Sequence, residues 1–400
     1  GYRVLDMTIW QQGTNATAML ADFGADVIKI EGPDAPDPGR GLTAGGAGTP
    51  MRAYFHNLNR GKRAISIDLK RERGREVLYR LVHQADAFVS NQRYRALKKL
   101  GVDYDTLKQI NPRIVYGHAS GYGPKGPDAD LGSMDIMAQA RGGLMMVTGD
   151  PDGPPMRAGV PLGDHTGSIL LAFGLVTALL HRERTGEGQR VDGSLLAGQL
   201  CIQSFNITAS LWDNNRQPPR HKRGPSPTWN AYQGGDGKWF VLGMNGQRWW
   251  PGICRVVGKP EWLTEEPFAS LQGRSANAAQ VMAALDDVFA TRTADEWVRL
   301  FSEADLMAAR CNEYGEVARD PQVLENKYIT QVDAGDGTRV PMVGVPVIMS
   351  KTPGRIRGIG PEFGQHTEEV LLEFGFTWDE IGELAEAGVI GHGARERVAT

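Results

Sequence analysis

The stretch that decides the fold is "YRVLDMTIWQQGTNATAMLADFGADVIKIEG", residues 2–32. It opens with a short apolar strand pattern at 2–8 and closes with a second one at 26–32. Between them, residues 16–25 place apolar side chains at helical spacing. A strand, a helix and another strand in this order predict a parallel βαβ unit with a crossover helix.

The same alternation continues through the first half of the chain. Strand patterns recur in "KRAISIDL" (62–69), "DAFVSN" (86–91) and "RIVYGHAS" (113–120). Helical patterns lie between them in "GREVLYRLVHQA" (74–85) and "YDTLKQI" (104–110). We therefore predict an α/β fold in which residues 1–205 form a large Rossmann-like domain with an open parallel sheet.

A change of composition marks the second part of the chain. The polar, proline-rich stretch "WDNNRQPPRHKRGPSPT" (212–228) is typical of a connection, so we predict a linker at 206–224. A smaller α/β domain is predicted at 225–325, with amphipathic helices at 275–292 and 293–305. Residues 326–400 are predicted to return and to pack on the large domain.

Composition and charge exclude several classes of protein. The 400 residues carry a formal net charge of −3, without the basic excess of a nucleic-acid binder. The three cysteines are far apart and form no metal-binding spacing, which favours a reducing, cytoplasmic location and predicts no metal. No basic and then apolar leader opens the chain, and the apolar run at 166–180 is shorter than the ~20 residues that span a bilayer. We expect that run to be a buried helix, not a membrane segment.

Asp164, in "RAGVPLGDHTGS" (157–168), precedes this long apolar run and allows two interpretations. Asp is a favoured helix N-cap, because its carboxylate accepts a hydrogen bond from a free N–H of the first turn. Alternatively, a helix N-terminus favours negative charge, so the carboxylate stays ionised at neutral pH. Such a carboxylate can attack an activated acyl group without a general base. Gly163 and Gly167 beside it leave room for a bulky substrate.

Stretches beyond this window decide between the two interpretations. They stand in register along nearly the whole chain, at 3–8 with 21–40, 59–70, 111–123, 121–149, 180–196 and 364–376. Together they resemble the class III CoA-transferases of the CaiB/BaiF type, which include formyl-CoA:oxalate and carnitine CoA-transferases. The resemblance implies an interlocked homodimer, acyl-CoA and a carboxylic acid as substrates, and no metal or redox cofactor.

The resemblance also implies a role for Asp164 as the nucleophile. Its carboxylate would attack an acyl-CoA thioester to give an aspartyl-acyl anhydride and CoA thiolate. The thiolate would then convert the anhydride into an aspartyl-CoA thioester, and the acceptor acid would reverse these steps. Backbone N–H groups near Asp164 would stabilise the oxyanions, each contributing typically ~3 kcal/mol.

Contacts to CoA carry over from the family at three places after predicted strands. The loop after the first strand contains Trp10 and Gln12, and both residues depart from the family's pattern. Elsewhere in the chain, Gly132 stands where one branch of the family has a basic residue. Asp135 falls at a second acidic position of the family and could orient groups near Asp164 or serve as a cap. The implied binding residues are Gln11, Gln12, Ile67, Lys70, Asn91, Gln92, Arg93, Lys99 and Asp135.

Two other functions remain as alternatives. An acyl-CoA racemase of the same fold needs an acid and a base, but Met134 stands where racemase relatives have a histidine. A non-catalytic nucleotide-binding module is suggested by "GYGPKG" (121–126), which matches G-x-G-x-x-G after a strand. Pro124 weakens that match because it removes a backbone donor from the loop.

Overall fold

A six-stranded parallel sheet is the centre of the computed structural model, which describes residues 1–41 and 53–391. Its strands are β1 (Arg3–Met7), β2 (Asp26–Glu31), β3 (Arg63–Ser66), β4 (Ala87–Ser90), β5 (Val115–Ser120) and β6 (Arg190–Ser194). Every neighbouring pair is parallel, in the order β3-β2-β1-β4-β5-β6. The predicted parallel α/β sheet is confirmed, and β6 is a strand that the sequence analysis did not predict.

The strand order reverses between β1 and β4. Because the strands are parallel, their carboxyl ends share one edge of the sheet. The connections that leave β1 and β4 diverge there and open a crevice, where open α/β sheets bind their ligands.

Helices cover both faces of this sheet. The first nine are α1 (Gln12–Asp22), α2 (Ala53–Leu58), α3 (Glu72–Gln84), α4 (Tyr94–Leu100), α5 (Tyr104–Ile110), α6 (Asp135–Arg141), α7 (Leu162–Thr185), α8 (Leu195–Ile202) and α9 (Ser204–Trp212). On one face, buried side chains of α1 and α7 form a core with the sheet, and on the other those of α3 and α5 do so. Helix α9 extends to Trp212, so the irregular part of the predicted linker begins only after it.

The chain divides into two compact units. The first comprises 1–146, 157–217 and 322–400, and the second comprises 147–156 and 218–321. The first also contains α15 (Pro321–Glu325) from its second residue on, the hairpin β10 (Ile329–Asp333) and β11 (Arg339–Val343), α16 (Thr367–Glu373) and α17 (Trp378–Glu386). Side chains of α16 and α17 join the core beneath α3. Residues 392–400 of the predicted returning segment lie outside the described residues.

The second unit has a core of its own. Its antiparallel sheet consists of β7 (Trp229–Gln233), β8 (Trp239–Gly243) and β9 (Ala308–Arg310). The sheet packs with α10 (Trp250–Val256), α12 (Ala278–Phe289) and α13 (Ala294–Glu303), and the unit also contains α11 (Leu271–Ala276) and α14 (Tyr314–Val317). Trp250, Phe289 and Phe301 are fully buried in this core. Helices α12 and α13 confirm the two predicted amphipathic helices.

Helix α7 is buried on one side only, which corrects the expectation of a buried helix. Leu171 and Leu175 face the sheet, but Ile169, Phe173 and Leu180 are exposed. A helix that packs on the face of a sheet buries only one stripe of its side chains. The opposite stripe of α7 therefore stays exposed in the protein. Among the described residues, α7 alone is long and apolar enough to cross a membrane, and 44% of its most apolar window is buried inside the protein.

Candidate active site

A cleft of about 650 Å³ lies at the carboxyl edge of the sheet, in the first unit. The loops after β1, β4 and β5 and the first turn of α7 contribute to its wall. This is the crevice expected at the reversal of strand order. Six of the predicted site residues line it: Gln11, Gln12, Asn91, Gln92, Arg93 and Asp164.

Asn91 joins the two loops that meet at this crevice. Its Oδ1 accepts a hydrogen bond from the Ile9 N–H at 2.9 Å, and its Nδ2 donates to the Ile9 carbonyl at 2.6 Å. The Asn91 side chain therefore holds the loop after β1 against the loop after β4. Asn91 therefore has a structural role in addition to its predicted role in binding CoA.

Trp10, in the wall of the cleft, has a left-handed backbone conformation with a φ of 61°. That conformation is uncommon for a large side chain and occurs often at functional loops. The carboxylate of Asp37 stabilises it by accepting the Trp10 N–H at 3.1 Å. Thr14 donates to the Trp10 carbonyl from the first turn of α1.

Asp164 is the third residue of α7 and not its cap. The N-cap is Pro161, which offers no side-chain hydrogen bond. The cap comes instead from Asp135, whose Oδ1 accepts the N–H of Gly163 at 2.6 Å and that of Asp164 at 3.4 Å. The capping interpretation of Asp164 is therefore wrong, because a carboxylate from α6 already takes the free N–H groups.

The Asp135 carboxylate is held in this position from its other side. Its Oδ2 accepts a hydrogen bond from Gln139 Nε2 at 2.7 Å, and Gln139 Oε1 accepts the Ala158 N–H at 2.9 Å. Asp135 is absent from the described lining of the cleft. The structure thus places it at the backbone N–H groups of the first turn of α7 and not among the cleft-lining residues.

The carboxylate of Asp164 accepts no hydrogen bond from any described residue, although it lies in the cleft wall. Burial, and secondly the charge of Asp135, raise the pKa of Asp164 to about 7. The expectation that it stays fully ionised at neutral pH is therefore wrong. The physical reason is that burial removes water from the carboxylate and that the neighbouring Asp135 charge repels it.

Tyr54 of α2 also lines the cleft and was not found from the sequence. Burial, and then the nearby charges of Asp164 and Asp37, raise the pKa of its hydroxyl above the ordinary value. The Tyr54 phenol therefore keeps its proton at neutral pH and can serve as a donor. No local sequence pattern predicts Tyr54 as a site residue, because a long connection separates it from the end of β2.

Besides Asp135, three of the predicted CoA contacts lie outside the cleft lining. Ile67 is buried in the core, where its backbone forms a bridge with Ile390. Lys70 is exposed just after β3, and Lys99 is exposed on α4. Both cations lie outside the described wall of the cleft.

Arg93 is the single Lys or Arg among the described residues that line the cleft. Its guanidinium lies over Gly132, since a β-carbon built on that glycine would stand 2.7 Å from Arg93 Nη2. A side chain at position 132 would displace it. Arg93 thus brings a positive charge from α4's N-terminus to the place where the sequence analysis noted a missing basic residue.

Two residues that bear on the racemase alternative, Met134 and His118, also line the cleft. Met134 lines the cleft and carries no transferable proton, which agrees with the argument against a racemase. His118 also lines it, with Nε2 2.9 Å from the Gln92 carbonyl. Within residues 1–41 and 53–391, no group of three or more His, Cys, Asp or Glu side chains is placed to hold a metal ion.

Comparisons with known proteins identify the family of this chain. The family model described as "CoA-transferase family III" matches residues 1–367. A succinate–glutarate CoA-transferase of Agrobacterium fabrum is 32% identical over 93% of this chain and 94% of its own. A formyl-CoA:oxalate CoA-transferase of Escherichia coli is 31% identical over 96% of this chain and 98% of its own.

Solved structures give the same result. The crystal structure of a CaiB/BaiF family protein from Brucella suis has a TM-score of 0.83 and 29% identity, over 94% of this chain and 98% of that one. The family model and the relatives thus define an acyl-CoA-using enzyme, and the sheet places it in the α/β class. The chain belongs to CoA-transferase family III and is a CoA-transferase.

Proposed function

We propose that this enzyme moves CoA reversibly between an acyl-CoA thioester and a free carboxylic acid, with Asp164 as the covalent nucleophile. The observation that carries this proposal is the state of the Asp164 carboxylate. It lies in the cleft wall, accepts no hydrogen bond from the described residues and has a pKa raised by burial. An anion without donors is a stronger nucleophile than one stabilised by a helix N-terminus.

The covalent bonds that form and break in the proposed reaction involve only the two substrates and Asp164. A carboxylate oxygen of Asp164 bonds to the thioester carbonyl carbon, the C–S bond breaks, and CoA leaves as the thiolate. The thiolate then bonds to the aspartyl carbonyl carbon, and the anhydride C–O bond breaks to release the first acid as its carboxylate. The acceptor carboxylate repeats both steps in reverse, which restores Asp164 and forms the new acyl-CoA.

Charge and polarity in the cleft support CoA as the group bound there. Arg93 supplies a cation for a phosphate or pyrophosphate group, and α1 begins at the same edge with N–H groups free of helical partners. Gln11, Gln12, Asn91 and Gln92 add neutral polar groups. Ile67, Lys70, Lys99 and Asp135 remain proposed contacts, with the two lysines as exposed cations for the far end of CoA.

We also propose that the enzyme is an interlocked homodimer in the cytoplasm. The exposed apolar stripe of α7 comprises Ile169, Phe173, Val176 and Leu180, with Phe173 71% exposed. Such a stripe is typical of an interface. A second copy of this chain is the proposed partner, as the family resemblance implies.

The experiment compares Asp164→Asn with the parent enzyme in a CoA-exchange assay over a panel of carboxylic acids. Asp164→Asn is expected to fold and to lose turnover by at least 1,000-fold, about the loss seen when a catalytic nucleophile is removed. Hydroxylamine added during turnover should convert Asp164 of the parent to the hydroxamate, detectable by mass spectrometry of its peptide. Asp105→Asn, an exposed carboxylate on α5, is the matched control. Normal turnover by Asp164→Asn, or an unmodified peptide during turnover, contradicts the proposal.

A further inference from the structure

The side-chain amide of Gln12 is buried and makes no hydrogen bond with any described residue. The residue is only 5% exposed, and its Nε2 is a buried donor without a partner. An unsatisfied buried donor costs typically 1–3 kcal/mol, so such groups are rare in native proteins and call for an explanation. A group that is absent from the resting protein can accept this hydrogen bond.

Gln12 lies beside the nucleophile. It lines the same cleft as Asp164, and its amide packs against Gly167, where a β-carbon would stand 2.7 Å from Gln12 Nε2. Gly167 and Asp164 are three residues apart on α7, and therefore neighbours on the helix surface. The Ser168 hydroxyl lies 2.8 Å from the Gln12 carbonyl oxygen and 2.6 Å from the Asp164 carbonyl oxygen, so it connects Gln12 to the turn that carries Asp164.

Gln199 of α8 offers a comparison. It too is fully buried, and neither its Nε2 nor its Oε1 has a hydrogen-bond partner among the described residues. Its side chain packs against Gly163, on α7 one residue before Asp164, but Gln199 is absent from the described lining of the cleft. The two amides therefore share burial and lack of partners, and they differ in access to the substrate.

We propose that Gln12 is a catalytic residue of the transfer reaction: its side-chain N–H donates to the substrate oxygen that becomes negatively charged when a tetrahedral adduct forms at the thioester carbonyl carbon. This inference rests on the proposed function of Asp164. The step concerned is the attack of the Asp164 carboxylate on the acyl-CoA thioester. The new O–C bond places the electron pair of the thioester C=O bond on oxygen, and the pair returns as the C–S bond to the departing CoA thiolate breaks.

The Gln12 donor is unused before the reaction. A hydrogen bond already made in the resting enzyme lowers the ground state as much as the adduct and gives no acceleration. A neutral amide held in place without a partner stabilises charge only when it develops on the oxygen. The amide also leaves the charge of Asp164 intact, which a lysine at this position would neutralise.

The experiment compares Gln12→Met with Gln199→Met, because methionine has a similar length and carries no N–H donor. Gln12→Met is expected to lower kcat and kcat/KM by a common factor of about 100, the effect of removing one oxyanion donor. Gln199→Met is expected to change both by less than about threefold. Both variants should unfold at or above the parent's temperature, since each loses an unsatisfied donor. Gln12→Ala is measured in parallel, so that the role of the Gln12 donor is tested if either of the two Gln12 variants folds.

Three results overturn the inference. They are a Gln12→Met enzyme with normal kcat, an increase in KM for acyl-CoA alone, which shows a binding contact, and an equal loss of kcat in Gln199→Met. Failure of the proposed function gives a different result. In that case the parent itself shows no CoA exchange or no trapped Asp164 adduct, whereas failure of this inference alone leaves both intact.

Discussion

The carboxylate of Asp135 accepts the backbone N–H of Asp164 at 3.4 Å and that of the preceding Gly163 at 2.6 Å. Two carboxylates therefore share one helix N-terminus, and they have different surroundings. Asp135 takes the backbone donors, whereas the side chain of Asp164 accepts no hydrogen bond within residues 1–41 and 53–391. Burial and the neighbouring charge then raise the pKa of Asp164 to about 7. The arrangement separates a structural carboxylate from a reactive one.

The pH dependence of turnover should report this pKa. If the ionised carboxylate is the nucleophile, kcat/KM rises with pH and reaches a plateau above a midpoint of about 7. Asp135→Asn removes the charge but keeps an oxygen for the helix N–H groups, so the midpoint should move to lower pH. Exchange rates measured from about pH 5 to pH 9 test both statements. A midpoint that is equal in the two enzymes contradicts the role of the Asp135 charge.

The same pKa has a consequence for stability with a defined sign. Because folding raises the pKa of Asp164 from 3.8 to about 7, the folded protein binds this proton more tightly than the unfolded chain. This contribution is present below pH 3.8 and is lost as the pH rises to about 7. The unfolding temperature of Asp164→Asn should therefore rise relative to that of the parent as the pH increases across this range. A constant difference between the two proteins contradicts the raised pKa.

The cap supplied by Asp135 should be visible in the stability of the fold. Asp135→Ala leaves the Gly163 and Asp164 N–H groups without their acceptor, so the free energy of unfolding should fall by about 1 kcal/mol. Asp135→Asn retains an acceptor and should lose less than half of that. Urea titration of the three proteins measures the difference. Equal losses in the Ala and Asn variants contradict the capping role.

Arg93 should determine much of the affinity for acyl-CoA. It is the single cleft-lining cation among the described residues, so Arg93→Gln should raise KM for acyl-CoA about tenfold and leave kcat nearly unchanged. The effect should shrink at high salt, because the contact is partly exposed. Arg95→Gln, an exposed cation on the same helix that lies outside the described cleft lining, is the control. Equal changes in the two variants contradict a specific contact.

The exposed stripe of α7 should control association of the chain with itself. Phe173 is 71% exposed at its centre, and Phe173→Glu places a charge in the proposed interface. Sedimentation velocity should show a dimer for the parent and mainly monomer for the variant. Lys108→Glu on α5 is the control for a change of charge. A monomeric parent, or a dimeric Phe173→Glu protein, contradicts the proposed homodimer.

Local patterns allowed much of the fold to be predicted. The strand, helix and strand in residues 2–32 became β1, α1 and β2, since the period of apolar residues reports which face is buried. The period of apolar residues did not reveal β6, "RVDGS", because this edge strand is short and only partly buried. It also failed to separate the two faces of α7, because apolar side chains occur on both.

The candidate site shows the same division. The sequence by itself determined the parallel α/β sheet, the position of Asp164 at the start of a long helix and the family resemblance, because these depend on residue types and spacings along the chain. Only the tertiary structure decided that Asp135 caps that helix, that the unpaired Gln12 amide lies against Gly167 in the turn after Asp164 and that Arg93 covers Gly132. These contacts join segments far apart in sequence. Burial and electrostatic interaction depend on distance in space, which the order of residues does not contain.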